Sequence, residues 1–179
     1  MPISKNGNLL LNVELLPDGT IPPEQKIMLD EIGAWVNLNA EAIYASKPWK
    51  IYGDNLNSFL IDEESNLSET DLKAQKQQKK NEQFNERTID SQPYGHSEVR
   101  FTTKGDILYV FVLNPDQVTI EIPSLGTNSE YGVKEISSIK IIGDDKNVSY
   151  KQTSDNLILN VPDKRPNKYA TVFEVKGAI

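Results

Sequence analysis

From Glu98 onward the chain changes to a period of two, and no other feature constrains its fold as strongly. Val99, Phe101 and Thr103 alternate with Arg100, Thr102 and Lys104. Gly105-Asp106 supplies a tight turn, and Ile107 to Leu113 is predicted to pair back as a hairpin. Further strands are predicted over Val118 to Ile122, Ile136 to Ile142, Ser149 to Thr153, Leu157 to Val161 and Ala170 to Val175. Turn signals separate them: Asn114-Pro115-Asp116, Gly143-Asp144-Asp145, Ser154-Asp155-Asn156 and Pro162-Asp163. About seven short strands at this spacing predict an antiparallel β-sandwich over residues 98–179.

The first fifty residues follow another pattern. Asn8-Leu9-Leu10-Leu11-Asn12-Val13 is nearly continuous in its apolarity, which predicts a strand covered on both faces, as in a parallel sheet. Lys5-Asn6-Gly7 before it reads as the end of a helix. Pro17-Asp18-Gly19 forms a turn, and Pro22-Pro23 opens a helix at the position where a missing N–H matters least. Met28, Leu29, Ile32, Trp35 and Val36 make one apolar helix face. That helix should fade near Asn37 to Asn39, and a second amphipathic turn, Glu41 to Ala45, should stop before Pro48. Residues 54–97 differ again: Ser65 to Arg87 is rich in Lys, Gln, Glu and Asn with few apolar anchors, and reads as a polar insertion or linker. The expected division is therefore 1–53, 54–97 and 98–179.

Composition excludes several functions. The formal net charge of −7 makes nucleic acid and an anionic membrane face poor partners. No cysteine is present, so there is no disulfide and no thiolate metal site. No apolar run approaches the ~18 residues of a membrane span. The apolar stretch near Met1 is too short for a signal h-region, and the compartment stays open.

The chemistry-bearing residues are sparse. Asp62, Glu63 and Glu64 cluster near Asn57 but lack the turn glycine and spacing of a calcium loop, so they read as solvated, and no metal or cofactor is expected. His96 is the single histidine and has no positioned nucleophile with which to form a triad. Trp35, Trp49, Tyr52 and Tyr94 are candidate sugar platforms, but their positions favour core or junction packing. The Lys73–Lys80 run has no interleaved aromatics for nucleic-acid binding.

Two blocks of residues resemble the α-L-fucosidases of glycoside hydrolase family 29. The first runs from Gly7 to Val13, through Asp18-Gly19-Thr20-Ile21-Pro22 and Ile32-Gly33-Ala34-Trp35, to Asn39-Ala40-Glu41-Ala42-Ile43-Tyr44 and Pro48-Trp49-Lys50-Ile51-Tyr52-Gly53. The second is Val99 to Tyr109, then Ile141-Ile142-Gly143 and Tyr150-Lys151-Gln152. The resemblance implies the closing strand and helix of a (β/α)8 barrel followed by the C-terminal sandwich of such an enzyme. It also implies hydrolysis of terminal α-L-fucosyl residues with retention, which uses two carboxyl groups roughly 5 Å apart. In the family those carboxylates precede the segment matched here, so no catalytic residue is assigned and the chain alone is expected to be inactive. The implied partners are a fucosylated glycan in the full enzyme and the missing barrel half; full-length relatives are often periplasmic, secreted or lysosomal. A stand-alone sandwich that binds carbohydrate or docks a partner is the alternative.

One residue departs from the family pattern. Where the family has a Gly-Pro-like pair, Val13 leads into Glu14-Leu15-Leu16. Glu14 would sit at the C-terminal end of the last barrel strand, the end at which barrel sites open, which makes it a candidate contact at the substrate rim. The alternative is a loop carboxylate that caps a backbone N–H or is solvated. A lone barrel strand also has unpaired edges, so residues 1–50 are expected to fold back on the sandwich or pair with another chain.

Overall fold

A computed structural model of the chain describes residues 1–56, 97–113, 118–144 and 147–179. Among them are eight strands: β1 Lys47–Asp54, β2 Val99–Lys104, β3 Ile107–Val112, β4 Thr119–Ile122, β5 Ser138–Ile141, β6 Tyr150–Gln152, β7 Leu157–Asn160 and β8 Thr171–Lys176. They form a five-stranded sheet in the order β1-β2-β3-β8-β5 and a three-stranded sheet in the order β4-β7-β6, with every pairing antiparallel. All seven strands predicted from alternation are present, and the fold is the mainly-β, two-sheet arrangement expected of residues 98–179.

The core follows from side-chain alternation. Val99 and Phe101 of β2, Leu108, Val110 and Val112 of β3, and Phe173 and Val175 of β8 point inward from the larger sheet. Ile120, Ile122, Leu157 and Leu159 meet them from the smaller one. Register aligns the largest groups: Phe101 lies opposite Val110, and Val110 opposite Phe173. Each such side chain stabilises by about 1.5–3 kcal/mol on burial, so this inter-sheet layer holds the fold.

The other face of the larger sheet is covered too. Tyr109, Phe111 and Val172 point away from the inter-sheet core and pack with Ala42, Trp35, Ile43 and Met1. The cover consists of α1 (Pro23–Leu38), α2 (Ala40–Ile43) and a 3-10 turn at Ile3–Lys5. This explains why Ile107 to Leu113 is apolar without a break: a strand buried on both faces has no solvent-facing positions to fill. It also corrects the alternation read for β2. Arg100 and Thr102, expected to face solvent, are 7% and 0% exposed. The Thr102 hydroxyl donates to the Ala42 carbonyl at 2.9 Å, and Arg100 pairs with the buried Glu98.

Two further corrections concern the first 54 residues. The turn before Pro48 does not lead into an irregular junction; residues 47–54 are the edge strand β1. An edge position tolerates Pro48, and the register breaks between Pro48 and Gly53. Trp49 meets Phe101 edge-on at 5.2 Å between ring centroids and lies 5.6 Å from Tyr131, so it packs the sandwich margin. The strand expected over residues 8–13 does not form: residues 7–16 carry no regular structure. A strand needs neighbours to take up its N–H and C=O groups, and no described strand pairs with this segment.

Burial leaves a titration signature. The Tyr109 phenol is pushed up to about 12, first by burial and then by the negative charges of Glu41 and Glu174. An unfolded chain ionises this phenol near 10. Tyr109 therefore contributes stability that is complete below pH ~10 and declines as pH rises towards ~12. Urea midpoints measured from pH 9 to 12 should fall over this window, and Tyr109→Phe should remove that part of the decline.

Candidate functional site

The least finished part of the molecule lies between two anchored roots. The first root is the 3-10 turn at Ile3–Lys5, which packs on β1 and β2 with Ser4 buried. Asn6 closes it in the left-handed region at φ 57°, a conformation short polar side chains tolerate. The second root is α1, in which Trp35 packs against Phe111 at 6.4 Å and donates its indole N–H to the Ala170 carbonyl at 2.9 Å. Between them the chain makes an excursion over residues 7–22.

Its return is set by a tight turn. Leu16 and Thr20 are bridged by a 2.8 Å backbone bond from the Leu16 N–H to the Thr20 carbonyl, and Gly19 N–H donates to Leu16. The Asp18 carboxylate accepts from the Thr20 N–H at 3.0 Å and from its hydroxyl at 2.7 Å, and these bonds hold it below the usual carboxylate range. The leucines before the turn are unprotected: Leu9, Leu10 and Leu11 are 70%, 89% and 45% exposed. Leu15, Leu16 and Ile21 are exposed as well, as are Ile27, Met28 and Ile32 of α1. Clustered aliphatic exposure of this kind marks a contact surface.

Glu14, the candidate rim residue, lies at this surface. It is exposed; its N–H donates to Gln25 Oε1 at 3.0 Å, and Gln25 Nε2 donates to its Oε2 at 3.4 Å. The side chain is thus tied to the first turn of α1. Trp35 and Trp49 pack as described, and Tyr52 lies under the Lys5 ammonium at 4.5 Å. Tyr94, His96, Asp62, Glu63, Glu64 and residues 73–80 lie outside the described residues. Among the described residues no group of three or more His, Asp or Glu is placed to hold a metal ion, and no helix is long and apolar enough to cross a membrane.

Two features were not visible in the sequence. One is the latch on α1. The Tyr169 hydroxyl donates to Glu31 Oε2, and Lys168 Nζ donates to Glu31 Oε1 at 2.9 Å. The two bonds hold the Glu31 carboxyl below its ordinary value. A cavity of about 230 Å³ opens beside this latch between Met28, Ile32, Trp35 and Tyr169. The other is a groove of about 760 Å³ at the β1 margin, whose walls include Lys50, Tyr52, Asp54, Asn55, Ser124 and Tyr131. Asp54 Oδ2 accepts from the Ser124 N–H at 2.8 Å, and Lys50 Nζ donates to the Tyr131 carbonyl at 2.6 Å. Both features join residues far apart in the chain, so no local spacing announces them. The excursion offers aliphatic surface and unpaired backbone, which suits docking; the groove offers hydroxyls, a carboxylate and tyrosines, which suit a polar ligand.

Comparison with known proteins falls on the same region. The sequence model described as Alpha-L-fucosidase matches residues 2–41, which comprise the first root, the excursion and α1. The tissue alpha-L-fucosidase of Bos taurus is 46% identical over 52 residues, 29% of this chain and 11% of that protein. The Homo sapiens counterpart is 47% identical over 49 residues, 27% of this chain and 10% of its own length. In three dimensions the likeness extends further. The crystal structure of Thermotoga maritima alpha-fucosidase covers 97% of this chain at 25% identity with a TM-score of 0.64, and is itself covered to 32%. The alpha-L-fucosidase isoenzyme 1 of Paenibacillus thiaminolyticus has the same fold at 24% identity, with a TM-score of 0.59, covering 98% of this chain and 32% of its own. The chain thus spans about a third of these solved structures.

Proposed function

We propose, from the family match over residues 2–41 and the likeness to fucosidase structures of which the chain spans about a third, that it is the C-terminal part of a retaining α-L-fucosidase and does not cleave a fucosyl bond alone. In this reading the segment ahead of β1 supplies the barrel-closing segment and helix, β1 (Lys47–Asp54) already belongs to the larger sandwich sheet, 55–97 are an insertion, and 98–179 form the rest of the C-terminal sandwich. The observation that carries it is the coincidence of the family match over 2–41 with the exposed excursion: within the matched segment, Leu9, Leu10, Leu15 and Leu16 are exposed. Retention needs a nucleophilic carboxylate and an acid/base carboxyl roughly 5 Å apart, and the reading places that pair on the rest of the barrel. Purified chain incubated with 4-nitrophenyl α-L-fucoside is expected to release no nitrophenol above a buffer blank; turnover by the isolated chain would overturn the proposal.

A second reading, a stand-alone sandwich that holds a sugar or a docking partner, draws on the groove beside β1. Its mix of hydroxyls, a carboxylate and tyrosines is the chemistry that grips a polyol. Saturable binding of L-fucose or fucosylated glycan by the isolated chain, without turnover, would favour it.

A further inference from the structure

We propose that the groove at the β1 margin is a binding site for a neutral pyranoside, gripped by the Asp54 carboxylate and the Ser124 and Ser129 hydroxyls beside the Tyr131 ring. The inference rests on the second reading above in placing a sugar there. It goes further in naming the class of sugar and the groups that hold it.

The groove is built from three stretches that meet only in the fold. β1 contributes Lys50, Tyr52 and Asp54, the 3-10 turn at Pro123–Leu125 contributes Ser124, and the loop after it contributes Ser129 and Tyr131. Asn55 ties the end of β1 to its surroundings. It sits in the left-handed region at φ 52°, and its side-chain amide donates to the Ser97 carbonyl at 2.9 Å and to the Glu121 carbonyl at 2.7 Å. Asp54 Oδ1 accepts from the Asn55 N–H and Oδ2 from the Ser124 N–H, both at 2.8 Å. Lys50 closes the opposite side through the Tyr131 carbonyl at 2.6 Å. The walls are therefore fixed before a ligand arrives, which lowers the ordering cost of binding. The volume of about 760 Å³ lies within the ~300–1,000 Å³ of pockets that take small molecules.

Two hydroxyls on these walls have hydrogen bonds left to make. Among the described residues, Ser124 Oγ and Ser129 Oγ are buried without a partner, and Ser124 as a whole is 6% exposed. A buried hydroxyl left unpaired destabilises a fold, so a serine that lines a groove and pairs with nothing behind it is placed to pair with what enters. Asp54 has capacity as well: a carboxylate accepts about four hydrogen bonds, and the two backbone N–H groups use half of them. Charge then selects the ligand. Burial first, then the charge and hydrogen bond of Glu130 and the charge of Asp54, raise the Tyr131 phenol above its ordinary value, so both carboxylates bear on this wall. The Lys50 ammonium is engaged by the Tyr131 carbonyl. An anionic ligand would meet two carboxylates on a chain of net charge −7. A neutral pyranoside meets the site on its own terms: its O–H groups donate to the carboxylate and accept from the serines, and its C–H surface lies against an aromatic wall.

The test titrates the isotope-labelled full chain with methyl α-L-fucopyranoside and, in parallel, with sodium glucuronate and with glycerol, reading amide shifts by NMR. Saturable shifts at the Asn55, Ser124 and Tyr131 amides are expected with the fucopyranoside, and none with the other two. Ser124→Ala should weaken the affinity by about 3–10-fold, the loss of one hydrogen bond. It should leave the urea midpoint unchanged or higher, because the hydroxyl it removes has no partner in the protein. Asp54→Asn keeps an acceptor for the Ser124 N–H and should weaken the affinity by about 10-fold or more, since the charged acceptor makes the stronger bond. If Asp54→Asn does not fold, Ser129→Ala replaces it, with the result expected of Ser124→Ala. No saturable shift with the fucopyranoside, an equal response to glycerol, or a preference for glucuronate would overturn the proposal. So would a Ser124→Ala chain that loses stability and keeps its affinity. Sugar binding that ignores all these substitutions would sink this assignment and leave the second reading standing. Groove binding by a chain that works only within a larger enzyme would sink the stand-alone reading and leave this one intact.

Discussion

Replacing Glu98 with alanine is expected to destabilise the chain by about 3–5 kcal/mol, the largest single-site loss we foresee outside the inter-sheet core. Glu98 and Arg100 are two residues apart on an extended segment, so their side chains share a face. That face lies under the N-terminal turn and Tyr52, and leaves Glu98 and Arg100 4% and 7% exposed. Arg100 Nη2 donates to Glu98 Oε1, and Nη1 donates to the Val99 carbonyl at 3.0 Å, while Nε has no partner. Removing the carboxylate strands a buried guanidinium that is already incompletely satisfied. Urea unfolding at pH 7 should show the loss as a lower midpoint with little change in slope. Glu98→Leu combined with Arg100→Met should recover most of it, because an apolar pair of similar volume avoids both desolvation costs. If Glu98→Ala alone costs less than about 1 kcal/mol, the pair is not buried as described.

Trp35→Ala is expected to release α1 while leaving the sandwich folded. The helix contributes no fully buried residue. Its attachment depends on the indole packed on Phe111, the indole N–H to Ala170, and the exposed Glu31 contacts with Lys168 and Tyr169. The exposed ion pair is worth at most ~1 kcal/mol. Truncating a large aromatic costs about 3–5 kcal/mol at a buried site and less at a half-buried one such as this. A sixteen-residue helix without tertiary contacts is marginal in water. Amides of residues 27–38 should then exchange near the rate of an unstructured peptide, while those of β3 and β8 keep their protection. Uniform loss of protection across both regions would show instead that α1 and the sandwich unfold as one unit.

Local patterns sufficed for the strands and for α1. Apolar runs from Val99 onward, separated by turn residues, put every strand of residues 98–179 within a few positions of where it lies, whether one face of the strand is buried or both. Pro22-Pro23 and the Met28 to Val36 face located α1 by a helical period. β1 escaped notice because Pro48 reads locally as a helix stop, and only its edge position in the sheet makes a proline acceptable there. The burial of Arg100 and Thr102 escaped for a related reason: whether the second face of β2 meets water depends on residues 3–5 and 40–43, more than fifty positions away.

For the candidate site the division runs the other way. The three consecutive leucines predict cover on two sides, as in a parallel sheet, and the structure forms no strand over residues 8–13. Tertiary structure decided that no described strand pairs with it, and that the segment stands exposed between two anchored roots. The physical reason is that hydrophobic pattern encodes what a segment requires, whereas whether a neighbour meets that requirement is a property of how many sheet edges the folded chain has left to offer, and here β1 and β5 end the one sheet, β4 and β6 the other, with residues 8–13 paired to none of them.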